Sequence, residues 1–156
     1  MRKTETNGRD EGSPLLLHHG DRMKGIDIEH TRAYYAALPE SELCDCAYCR
    51  RYRREARAAL PMIAAYLDSL GVDIAKPLEA IPLCENADGT VDFIGEQYVL
   101  LGTADGFTET EIGGVRISVT DAHPQTGITA PHFVIELGPV RLPRQGEAEQ
   151  TKTNRE

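Results

Sequence analysis

Cys44, Cys46 and Cys49 put three of the chain's four cysteines into the six-residue run Cys44-Asp45-Cys46-Ala47-Tyr48-Cys49. Thiolates gathered this tightly bind soft or borderline metal ions, exchange disulfides or act as nucleophiles. Zinc takes four ligands in a tetrahedron and favours thiolate with imidazole. Cys46 and Cys49 have the spacing of a zinc knuckle, and Cys44 can add a third sulfur from the preceding loop. The fourth ligand must then come from far away in the chain. Cys84, His123 and His132 are the candidates. His132 is narrowly preferred because it begins a predicted strand, whereas Cys84 falls in a Glu-Asn-Ala-Asp-Gly stretch that reads as flexible. No second paired motif accompanies the first.

Two other readings compete. A dithiol formed by Cys46 and Cys49 at a helix N-terminus has its thiol pKa depressed by the helix dipole and by Arg50 or Arg53. The thioredoxin arrangement, however, needs a core strand leading into the motif, and here an acidic loop containing Pro39 precedes it. Iron–sulfur runs space their cysteines more widely. Alternatively, cysteine packs as a small hydrophobe, and Cys49 falls on the apolar stripe of the predicted helix.

Elsewhere, Asp121, His123 and His132 sit at the two ends of a loop joining strands expected to pair. Two imidazoles and a carboxylate form a ligand set of non-haem iron or catalytic zinc; incidental histidines in a polar loop are the plainer reading. Asn86-Ala87-Asp88-Gly89 suggests a calcium loop, but Cys84 and Gly95 fall where its first and last ligands belong. It reads as a turn. Arg50, Arg53, Arg54 and Arg57 cluster on one helix face and suit an acidic or phosphate-bearing partner, or simply a solvated face. No phosphate-cradling loop, dinucleotide fingerprint or nucleophile elbow is present.

The elements that must position these residues follow from periodicity. Asp27 caps a first helix along Ile28, Thr31, Tyr35 and Leu38, which Pro39 stops. Asp45 is expected to cap a second helix starting near Cys46, with an apolar stripe of Cys49, Tyr52, Ala56, Leu60, Ile63, Leu67 and Leu70. Pro61 should kink or break it, and Gly71 should end it. Strands are predicted over 91–94, 97–103, 107–112, 115–120 and 133–137, with Gly113-Gly114 as a two-residue hairpin turn. The predicted fold class is α+β, with two or three N-terminal helices packed on one face of a C-terminal antiparallel β-meander.

At 156 residues the chain has room for one core. A single domain is expected over 26–142, with a disordered leader over 1–25 and a loose tail over 143–156; Met23 is an alternative start to Met1. The net charge of −8 argues against general nucleic-acid binding. Apolar runs are too short for a bilayer or a signal peptide, so a cytoplasmic setting that keeps thiols reduced is expected.

The strings His30-Thr31-Arg32-Ala33-Tyr34-Tyr35, Leu38-Pro39-Glu40, the cysteine run with Arg50, Gly71-Val72-Asp73, Asp121-Ala122-His123-Pro124 and His132-Phe133-Val134-Ile135-Glu136 resemble a family of small uncharacterised bacterial proteins. The resemblance covers roughly 26–142 and implies one domain, but no activity. The functional expectation is a zinc-stabilised interaction module without catalysis. The alternative is a small metal- or thiol-dependent enzyme using Cys44, Cys46 and Cys49 or the Asp121/His123/His132 loop. An enzyme needs an open coordination position or an exposed low-pKa thiol in a pocket.

Overall fold

The structure, a computed structural model, describes residues 25–144. The expected leader, apart from Gly25, and the expected tail, apart from Pro143 and Arg144, lie outside the described residues.

Helix α1 (Ile28–Ala37) starts where predicted, with the Asp27 carboxylate accepting the His30 N–H at 3.0 Å. The second predicted helix is two helices, because Pro61 cannot continue the hydrogen-bond ladder. α2 (Ala47–Ala59) ends at Leu60, and Pro61 becomes the first residue of α3 (Pro61–Ser69). Gly71, at φ +86°, closes α3: its N–H reaches Asp68 O and the Val72 N–H reaches Leu67 O, which is a Schellman cap.

Six strands follow among the described residues: β1 (Glu79–Glu85), β2 (Val91–Leu101), β3 (Thr110–Ile112), β4 (Val115–Thr120), β5 (His132–Gly138) and β6 (Val140–Leu142). They form one antiparallel sheet in the order β1-β2-β5-β4-β3, with β6 pairing the first part of β2. The fold is α+β, as expected, and Gly113-Gly114 makes the β3–β4 turn. No helix among the described residues is long and apolar enough to cross a membrane.

Three strand expectations need correction. The stretches 91–94 and 97–103 are one strand, 107–112 shrinks to Thr110–Ile112, and β1 and β6 were not expected. The first error has a physical cause. Along β2 the buried core positions switch from Val91 and Phe93 to Tyr98 and Leu100; along β5 and β6 they switch from Ile135 and Leu137 to Val140 and Leu142. Both strands change parity side by side, at Ile94-Gly95 and Gly138-Pro139, while their register is kept. A Cβ on Gly138 would lie 2.2 Å from Ile94 O, so only glycine allows this crossing. A broken period of two looks like two strands in the sequence.

The parity change also turns Glu96 onto the core face, where it is fully buried. Neither carboxylate oxygen has a hydrogen-bond partner. Burial pushes its carboxyl up from 4.5 to about 9.

The edge of β2 beyond β1 is completed by side chains instead of a strand. The Tyr35 hydroxyl donates to Val99 O at 2.8 Å and accepts the Val99 N–H at 2.9 Å. Thr31 Oγ1 accepts the Leu101 N–H at 2.9 Å, and the Asp27 N–H donates to Leu101 O. Thr31 and Tyr35 are therefore buried for hydrogen bonding as much as for packing.

Tyr35→Phe orphans both polar groups of Val99 and should lower stability by about 3 kcal/mol in chemical denaturation. An unchanged midpoint would show that the hydroxyl is dispensable. A second outcome concerns pH. Neutral Glu96 suits the fold, whereas the unfolded chain ionises it at its ordinary pKa. Its contribution is whole below about pH 4.5 and is lost as pH rises toward 9, by up to about 1.4 kcal/mol per unit. Glu96→Gln should flatten this slope between about pH 5 and 8. Parallel stability–pH curves for variant and parent would contradict the burial of a neutral acid.

Candidate metal centre

The cysteine run folds as a short loop turned back onto α2. A 3-10 turn (Glu40–Glu42) follows Pro39, and Leu43 leaves it in extended conformation. The residue that caps α2 is Cys46, not Asp45: Cys46 Sγ accepts the Cys49 N–H at 3.4 Å. Sulfur takes the place of the usual capping oxygen, and Asp45 instead projects toward Arg50, 3.6 Å from its guanidinium. The cap geometry explains the two-residue spacing, because a capping side chain reaches over the third helical residue, which here is Cys49.

Each carbonyl of the loop is held by α2. Arg53 Nη1 donates to Cys44 O, Arg50 Nη1 to Asp45 O at 2.9 Å, and the Arg50 N–H to Cys46 O at 2.9 Å. The result is that Cys44, Cys46 and Cys49 bring their sulfurs within 4.8 Å of one another. A tetrahedral zinc with sulfurs at about 2.3 Å spaces them about 3.8 Å apart. A contraction of about 1 Å or less closes the three onto one ion.

Their surroundings push the Cys46 and Cys49 thiols in opposite directions. The Cys49 N–H at its sulfur, with smaller help from the neighbouring thiols, holds Cys46 below the usual thiol range. Burial, and then the two neighbouring thiols, pushes Cys49 well up. Three thiolates this close repel one another, and a cation between them removes the conflict.

Among the described residues no other His, Cys, Asp or Glu joins this group. His132 starts β5 as predicted, but its ring nitrogens meet Thr126 Oγ1 and Ala130 O, each at 2.8 Å. His123 Nδ1 lies 2.8 Å from Pro124 O. Cys84 is in strand β1, correcting the flexible assignment, and its thiol donates to Asn86 Oδ1. β4 and β5 do pair, yet Asp121, His123 and His132 form no group close enough to share an ion. The 86–89 segment is a turn, with Asp88 Oδ1 accepting the Thr90 N–H and hydroxyl.

The arginine face is mostly paired within the chain. Arg50 meets Asp45, Arg54 meets Glu55, and Arg57 meets Asp68 and Asp73. Arg53 has no carboxylate partner among the described residues. It lines a pocket of about 80 Å³ with Leu43, Cys44, Cys49, Pro77, Leu78, Glu79 and Ala80. Sequence reasoning missed Arg51, which is buried and ties α2 to Gly89 O and Pro143 O. Its place beside Tyr52, at the margin of the apolar stripe, was the available signal.

Cys46→Ser keeps a capping atom and Cys46→Ala removes it. In metal-free protein the serine variant should therefore be the more stable by about 1 kcal/mol, while Asp45→Ala changes stability by less than about 0.5 kcal/mol. Equal loss in all three variants would refute the sulfur cap.

No protein-family model, curated protein or solved structure matches the chain, so the functional reading rests on this geometry.

Proposed function

We propose that the chain is a small interaction module stabilised by a zinc ion held on Cys44, Cys46 and Cys49. The observation that carries the reading is the convergence of three sulfurs within 4.8 Å on a loop clamped by Arg50 and Arg53. A reducing compartment such as the cytoplasm keeps such thiols available to an ion. With Arg50, Arg54 and Arg57 paired internally, Arg53 is the cation of this face with most to offer an acidic or phosphate-bearing partner.

A second reading, a small metal- or thiol-dependent enzyme, gains from one observation: the pocket reaches Cys44 and Cys49 while no fourth donor among the described residues joins them. Thiol reactivity against pH separates the two. A cysteine modified rapidly near neutral pH in native protein favours the enzyme.

Protein purified under reducing conditions without a His-tag should carry close to one zinc per chain. Because binding free energy of a structural ion is folding free energy, chelation or Cys49→Ser should lower Tm by about 10 °C or more. Well-folded protein free of zinc and iron, with a melting curve indifferent to chelator, would sink the proposal.

A further inference from the structure

We infer that the thiolate centre keeps an exchangeable fourth coordination position, opening on the pocket beside Arg53 and taking a small anionic donor. The inference rests on the metal reading above and adds the ligand class to it.

The donor count comes first. Zinc in a thiolate site wants four ligands, and a position without a protein donor goes to water or to an added ligand. The three sulfurs form a group with no fourth His, Cys, Asp or Glu among the described residues, and His132 is engaged in its own loop. Glu79 lines the pocket, but it pairs directly with Gln97 and so shares Gln97's sheet face. Gln97 reaches Glu136 and Ala122 on that face, whereas Ala80, beside Glu79, packs against the core on the other. The Glu79 side chain therefore leaves the strand on the face opposite Ala80, and its carboxylate is not part of the sulfur group.

The pocket then sets size and charge. About 80 Å³ holds a ligand of a few heavy atoms against the apolar walls of Leu43, Pro77, Leu78 and Ala80. Among the described residues its one cationic side chain is Arg53, which donates to Cys44 O. Three thiolates and a divalent ion leave one negative charge, which Arg53 offsets. An entering monoanion thus meets a nearly neutral centre at the N-terminal end of α2, where backbone N–H groups favour negative charge. The anion displaces water from the ion, and no electron moves.

The test loads the full chain with cobalt(II) and titrates it with sodium azide and, separately, sodium formate. Sulfur-to-cobalt charge-transfer bands report the thiolates, and the visible ligand-field bands report the fourth position. Both anions should shift the ligand-field bands saturably. Because Arg53 also clamps Cys44 O, affinity is read per bound cobalt: Arg53→Gln should weaken both anions by tenfold or more, whereas Arg54→Gln, outside the pocket, should match the parent. Circular dichroism checks that both variants fold. Ligand-field bands unmoved by excess anion would overturn the inference while leaving the metal reading intact, as would equal affinities in parent and Arg53→Gln. Folded protein with no sulfur-to-cobalt bands would overturn the metal reading and this inference with it.

Discussion

The fold depends on satisfying both edges of one long strand. β2 carries eleven residues through the middle of the sheet, and an unpaired buried N–H or carbonyl on it is destabilising. One edge is covered by β6 along Val91, Asp92 and Phe93 and by β5 from Glu96 to Leu101. The other is covered by β1 only as far as Gln97, where the Leu78 N–H donates to Gln97 O. From Val99 to Leu101 the partners are Tyr35, Thr31 and Asp27 of α1 and its cap. A helix thereby takes the place of a strand, and the first residues of the described chain become inseparable from its sheet.

That arrangement fixes where the cysteines sit. α2 rests on the face of β2 through Tyr52, whose ring lies edge-on to Phe93 with centroids 5.5 Å apart and whose hydroxyl meets that of Tyr98 at 2.7 Å. Tyr98 in turn donates to Ile74 O, just beyond α3. Cys49 lies one turn before Tyr52 on the same buried side. Its sulfur is held in place by the core, and the exposed Cys44 and Cys46 are brought to it by the arginine clamp. One rigid ligand with two on a tethered loop is an arrangement that an ion can tighten. The same clamp explains why basic charge follows the cysteines so closely in the chain.

Much of this was legible from residue order. Asp27, Pro39, Pro61, Gly71 and Gly113-Gly114 all punctuate the chain where local backbone chemistry says they should. The cysteine run singled itself out by density, and its sulfurs converge. What stayed hidden depends on contacts between distant segments. The sulfur cap was obscured because Asp45, a better capping residue by propensity, stands one position earlier. The parity switch at Ile94-Gly95 needs the matching switch at Gly138-Pro139, and neither strand announces it alone. β1 was missed because Pro82 and two register irregularities against β2 break its alternation. Glu96 falls in the gap between the two strands predicted over 91–94 and 97–103, and only the switch places it in the core.

The central claim is that three cysteine sulfurs share one metal ion whose fourth ligand comes from outside the cysteine run. X-ray absorption at the zinc edge on the purified chain, reduced with a phosphine and free of added thiol, tests it most directly. The account predicts three sulfurs at about 2.3 Å and one oxygen or nitrogen at about 2.0 Å. Four sulfurs around the ion would contradict the open position, and zinc surrounded by oxygen and nitrogen alone would contradict the thiolate centre itself.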